Sequence, residues 1–196
     1  MKQTKETKKP PRLKFKPKVR KLTELLLYLS HKKQHVDHYK ACKLVYLADW
    51  LHLNKFGRPL IGDTHKATPF GPVAAKTREL LGAEPQAMKE AGLDGLPFET
   101  GSLDGIIQIG APKRAVDHKF FSRSDLEVFD DVLARYGDLT FAELHELTSR
   151  HFAYRNAWDN KPQQRRSAPI SYDDMLEESA VKDGYIEEIG SVSHKM

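Results

Sequence analysis

The amino-acid sequence predicts a mainly α-helical domain with a small antiparallel β-sheet, a compact α+β fold, on three observations. Apolar residues recur at helical spacing in several separate stretches, helix start and stop residues bracket those stretches, and β-prone runs are short and confined to the middle of the chain. With 196 residues, 39% of them hydrophobic, a single core is expected.

Residues 1–18 contain Pro10, Pro11 and Pro17 and few apolar side chains, chiefly Leu13 and Phe15, so a basic, disordered N-terminal arm is expected there. The domain is expected over 19–190, followed by a tail at 191–196. Val19, Leu22, Leu25, Leu26 and Leu29 share one helical face and predict a first helix to about residue 32. Asp37 as N-cap, with Leu44, Val45, Leu47, Ala48 and Leu51 as the buried stripe, predicts a second, ended by Gly57. Pro72 suits the first position of a third helix over 73–81, closed by Gly82. Residues 86–91 read as weakly helical. Residues 106–109 and 116–121 are β-prone, with 64–68 a candidate partner for one of them.

Ser122 with Asp125, and Thr140 with Glu143, have capping-box spacing, flanked by the staples Phe121/Leu126 and Leu139/Leu144. They predict a helical hairpin over 123–149, against which Tyr154 and Trp158 would bury. A polar linker is expected at 161–169, and Ser171 starts a last helix over 172–181.

Charge is unevenly spread. Residues 1–21 hold ten of the 32 basic residues and one of the 27 acidic ones, leaving 22 basic against 26 acidic in the rest. A basic arm on a mildly acidic body is less specific for nucleic acid than a domain-wide basic surface. No apolar run approaches the roughly 20 residues that span a bilayer, and the lysine-rich start has no apolar signal segment, so a cytoplasmic protein is expected. The single cysteine, Cys42, lies among Ala41, Leu44 and Val45 and reads as a small buried hydrophobe.

Nine histidines invite a metal hypothesis. His31, His35 and His38 would share a face of one continuous helix, but the Asp37 cap breaks it. Asp49, His52, Asp63 and His65 are chemically suitable zinc or iron ligands and would define a metal-dependent enzyme. No HExxH, paired cysteines or HD dyad accompanies them, so no metal or cofactor is expected. The chain also lacks a GxSxG elbow and a Walker or Rossmann glycine pattern, and a non-enzymatic protein is expected. A helix-turn-helix at 123–149 would present Asp125, Glu127, Asp130, Asp131, Asp138, Glu143 and Glu146 to DNA, which confines any nucleic-acid contact to the arm.

The stretch from residue 43 to 73 carries the most specific signal. Lys43-Leu44-Val45-Tyr46-Leu47-Ala48-Asp49-Trp50, His52-Leu53, Gly57-Arg58-Pro59-Leu60-Ile61-Gly62-Asp63 and Phe70-Gly71-Pro72-Val73 together resemble the Panacea antitoxin domain, the SocA-like family of toxin-antitoxin modules, also found on phages and prophages. Residues 122–137, 139–148 and Ala157-Trp158 resemble the family's C-terminal part. The resemblance implies a protein-binding module that neutralises a cognate toxin, one acting on tRNA, nucleotides or translation, by direct contact. The family's alternative mode is an adaptor that delivers a toxin to a Clp-type protease. His65 stands where the family leads one to expect an aromatic such as Tyr, and no separate DNA-binding domain precedes the core.

Within that motif, Tyr46, Asp49, Gly57, Arg58, Pro59, Gly62, Asp63, Gly71 and Pro72 are expected to build the fold, with Arg58 and Asp63 bridging across the loop. Trp50, His52, Phe70, Lys76 and His65 are candidates for a toxin-binding surface, because aromatics beside charges suit interface anchors. Lys14, Phe15 and Lys16 of the arm are candidates for an accessory clamp.

Overall fold

The structure is a computed structural model that describes residues 13–33 and 35–176. Expectations for residues 1–12, for the end of the last helix beyond residue 176 and for the tail lie outside the described residues.

The element order is α1 (Val19–Lys32), β1 (Val36–Asp37), α2 (His38–Phe56), β2 (His65–Thr68), β3 (Gly71–Ala74), α3 (Ala75–Leu81), α4 (Pro85–Ala91), β4 (Phe98–Leu103), β5 (Ile106–Pro112), α5 (Arg123–Tyr136), α6 (Phe141–Ser149), α7 (Phe152–Asp159), β6 (Ala168–Pro169) and α8 (Tyr172–Met175), with a 3-10 turn at His118–Phe120. Two three-stranded antiparallel sheets form, ordered β1-β5-β4 and β3-β2-β6. The fold is therefore α+β and mainly helical. Among the described residues no helix is long and apolar enough to cross a membrane.

The organising element is α2. Asp37 caps it by accepting the Lys40 N–H at 2.8 Å, and Gly57 closes it in the left-handed conformation. Its buried residues are not one stripe: Ala41 through Asp49 are all buried, as are Leu51, His52 and Leu53. A helix enclosed on every side must satisfy its polar side chains internally, and Lys43, Tyr46, Asp49 and His52 each find a partner. Helices α3, α5 and α6 and strand β3 all pack against it.

Several elements differ from the sequence expectation. Strand 64–68 pairs with neither 106–109 nor 116–121; β2 pairs with β3 and β6, and residues 118–120 form the 3-10 turn. Pro72 lies inside β3, where Ala67 is its cross-strand partner, and α3 starts only at Ala75. The short Thr68–Gly71 turn folds the chain back on itself before a helix can begin. Both capping boxes form as expected, at Ser122 and Thr140. Helix α5, however, leans chiefly on α2, and α6 on α2 and β3, rather than on each other. Tyr154 and its helix pack on β2 and α8, and the Tyr154 hydroxyl donates to the Thr68 carbonyl at 2.9 Å. The end of the polar linker becomes β6, an edge strand where Pro169 is tolerated.

Residues 13–18 are not a free arm. They form an extended strap in which Leu13 is buried, Phe15 meets the Tyr172 ring edge-on at 5.0 Å, and the Lys18 N–H donates to the Ile61 carbonyl at 3.1 Å. The Leu13 N–H donates to Asp173 Oδ1 at 2.7 Å. Two apolar side chains and these backbone bonds offset the cost of ordering six residues, which the high local charge had concealed.

Candidate functional site

The 57–63 loop is held from beneath by one carboxylate. Asp49, fully buried on α2, accepts N–H bonds from Ile61 at 2.6 Å, from Gly62 at 3.1 Å and from Asp63 at 3.0 Å. It also lies 3.0 Å from His65 Nε2 and accepts the Tyr172 hydroxyl at 3.0 Å. Burial alone would raise this carboxyl; the His65 and backbone bonds outweigh it and hold the group below the usual carboxylate range. Gly62 has a φ of +78°, and a Cβ there would stand 3.1 Å from Phe15 Cβ, so the turn and the strap both require glycine.

Asp63 does not bridge to Arg58. It turns toward α3, where Oδ1 accepts the Lys76 N–H at 2.8 Å and Oδ2 accepts the Thr77 N–H at 2.9 Å, capping a helix that has no side-chain cap of its own. Burial raises its carboxyl, against the opposing effect of those bonds and of His65. Arg58 reaches α5 instead: its guanidinium donates to Asp125 Oδ1 at 3.1 Å and to Ser122 Oγ at 3.2 Å. Asp125 is buried and also meets Lys21 Nζ at 2.7 Å and His52 Nε2 at 3.2 Å, so it ties α1, α2 and α5 together and is no part of an acidic surface.

The four candidate metal ligands are therefore dispersed, His52 with Asp125, His65 with Asp49, and Asp63 on the N-terminus of α3. The oxygens of Asp49 and Asp63 are engaged by backbone N–H groups, as suits structural carboxylates. Among the described residues no three His, Cys, Asp or Glu side chains are grouped to hold a metal ion.

Two of the candidate contact residues are thereby removed from the surface. His52 is fully buried and His65 is 2% exposed. Lys76 is half-buried and engaged by Glu79 at 2.7 Å and Glu90 at 3.1 Å. Lys14 and Lys16 are exposed, whereas Phe15 packs on the body. Phe70 is 54% exposed, and Trp50 is half-buried at the edge of a cleft.

Phe70 and Trp50 stand at opposite ends of one row of α2 side chains, whose middle members Lys43 and Tyr46 are buried. Tyr39, Lys43, Tyr46 and Trp50 succeed each other on α2 at intervals of four, three and four residues, a single stripe about 16 Å long. At one end the Tyr39 ring lies 6.1 Å from Phe70 and 5.8 Å from Phe141. Next comes Lys43, a buried ammonium that donates to the Phe70 carbonyl at 2.6 Å and sits 5.5 Å from the Phe141 ring centre. Burial lowers this lysine to about 8. Gly71, with a φ of +86°, makes room for it, since a Cβ would lie 2.6 Å from Nζ. Tyr46 O–H then faces His151 Nδ1 at 3.3 Å, burial having pushed that imidazole down to about 4. Trp50 packs on the same ring at 4.8 Å. Beyond it opens a cleft of about 480 Å³, lined by Trp50, His151, Phe152 and Arg155 among others.

Tyr39, Lys43, Phe141, His151 and Phe152 were not singled out by sequence reasoning. For the first two a signal existed, because Tyr39 and Lys43 share the helical spacing of Tyr46 and Trp50. The other three come from α6 and α7, and only the tertiary fold brings them to this stripe.

The geometry describes a small α+β domain built around one buried helix, with the exposed Phe70 and Phe141 beside Tyr39 at one end of it and Phe152 at the cleft beside Trp50. Residues 42–158 match the family described as antitoxin SocA-like, Panacea domain, and the chain belongs to that family. Searches of curated proteins and of solved structures gave no match.

Proposed function

We propose that this protein is an antitoxin that neutralises a cognate protein toxin in the cytoplasm by direct binding, using the aromatic cluster of Phe70, Phe141 and Tyr39 at one end of α2 as its contact surface. The family supports a toxin as the partner in general terms. The observation that carries the choice of surface is the exposure of Phe70 and Phe141, at 54% and 37%, around Tyr39 and a turn fixed by the buried Lys43. Exposed aromatic rings on a rigid backbone bury much area at little cost in entropy, which is the make-up of an interface anchor.

The test is co-expression of the neighbouring reading frame with this protein, followed by growth and co-purification. Phe70→Ala and Phe141→Ala should each weaken the complex by about 2 kcal/mol, roughly thirty-fold, and the double variant should lose rescue while remaining folded. A double variant that still rescues and co-purifies would remove this face from the proposal. Toxin levels that fall only when a Clp-type protease is present would favour delivery for degradation over masking.

A further inference from the structure

A second surface, unused by that reading, lies where the strap meets α1. Lys14, Lys16 and Lys18 are exposed, alternating with the buried Leu13 and the half-buried Phe15 and Pro17. Arg20 extends the series onto α1, and Lys119 and Phe120 of the 3-10 turn face it across a groove of about 670 Å³. Among the described residues, none of Lys14, Lys16, Lys18, Arg20 and Lys119 forms an ion pair with a carboxylate. The groove is lined by Lys18, Arg20 and Lys119 with Lys21, which is held by Asp125, and Glu90, which is held by Lys76, while Lys14 and Lys16 continue the row along the strap outside that lining.

We propose that this groove binds the sugar-phosphate backbone of a single-stranded nucleic acid. Alternate residues of an extended chain stand about 6.6 Å apart, so the strap presents a regular ladder of cations, comparable in repeat to the phosphates of an extended strand. Phe120, 39% exposed at the groove, supplies a ring on which an unstacked base can rest. A duplex has no free base face to offer that ring, and an acidic polypeptide has no base at all. The charge sequence continues the same way upstream, with Lys2, Lys5, Lys8, Lys9 and Arg12 against Glu6.

The experiment is fluorescence anisotropy of a labelled twenty-nucleotide oligo-dT with the full chain between 50 and 300 mM salt. The expected result is binding whose log affinity falls with log salt at a slope of about −3, corresponding to four to five neutralised phosphates. The triple variant Lys16→Glu, Lys18→Glu, Arg20→Glu should abolish binding, and the corresponding Lys→Arg variant Lys16→Arg, Lys18→Arg should keep it. Phe120→Ala should weaken binding roughly ten-fold with the salt slope unchanged. Because all these side chains are exposed, thermal unfolding should match wild type. No binding at 50 mM salt overturns the proposal. So does a triple variant that binds like wild type, or loss of binding only when residues 1–12 are removed. Equal competition by poly-glutamate, with Phe120→Ala silent, would assign the groove to an acidic protein instead.

Discussion

Lys43 places a positive charge where the protein has little water to offer it, and its energetics follow from that. An ordinary lysine titrates near 10.5, and this one near 8, so between those values the unfolded chain holds the proton and the folded chain does not. Stability therefore rises with pH across that window, by up to about 3 kcal/mol from this group. Below pH 8 the ammonium is a net cost, offset in part by the Phe70 carbonyl and the Phe141 ring. Lys43→Met should remove the pH-dependent gain, as read by urea unfolding at pH 7.5 and 10, and should weaken toxin binding by freeing the Phe70 turn. Parallel pH profiles for the two proteins would show that the ammonium is solvated. Asp49 has the opposite character, since its charge is fully used. Asp49→Ala should destabilise by about 3–5 kcal/mol, because three backbone donors and His65 would lose their acceptor together, Tyr172 alone keeping the Asp63 carbonyl at 2.8 Å.

The strap and the β2–β3 hairpin are the elements that join the surfaces to the core. Deleting residues 1–12 leaves the strap contacts in place, whereas deleting 1–18 removes Leu13 and Phe15 and should cost about 2–4 kcal/mol in unfolding free energy. Gly62→Ala should approach the longer deletion in effect, because the added methyl group collides with the strap at a backbone angle that also disfavours alanine. Equal stability of the two truncations would show that the strap does not hold to the body. The sequence reading was most successful where structure is set locally: the caps at Asp37, Ser122 and Thr140 and the stop at Gly57 are decided within a few residues. It was least successful where the partner is distant. Pro72 has the local chemistry of a helix start, yet cross-strand pairing with Ala67 keeps it in a strand. Asp63 has Arg58 five residues away, yet the unsatisfied N–H groups of α3 claim it. The aromatic cluster was legible at Phe70 alone, since it joins the β2–β3 turn to Tyr39 of α2 and Phe141 of α6 and no single window of sequence contains it.

At the scale of the whole molecule, the acid limb of stability should be steep. Asp49 and Asp125 both titrate below the ordinary 3.8; burial raises each, but the His65 bond at Asp49 and the His52 and Lys21 bonds at Asp125 more than reverse it. Their contribution is present in full above that ordinary value and is lost as falling pH protonates them in the folded state. Asp63, raised by burial, works in the other direction and softens the loss. Asp125→Asn should therefore flatten the acid limb in thermal melts between pH 5 and 2 while lowering stability at pH 7. An unchanged slope would mean that the α1–α2–α5 junction does not depend on that charge.

The lone thiol adds a clock to this architecture. Cys42 is 1% exposed, its Sγ lies 3.5 Å from the Ala74 carbonyl, and burial pushes the thiol well above its usual range. A thiol-reactive dye can reach it only when the elements packed on α2, β3 among them, open, so the labelling rate reports those openings. Because the same hairpin carries Phe70, a toxin seated on that turn should slow labelling in proportion to its occupancy. The protein thus contains its own occupancy meter, one that needs no engineered probe and reads the state of the Phe70 turn from its hidden side.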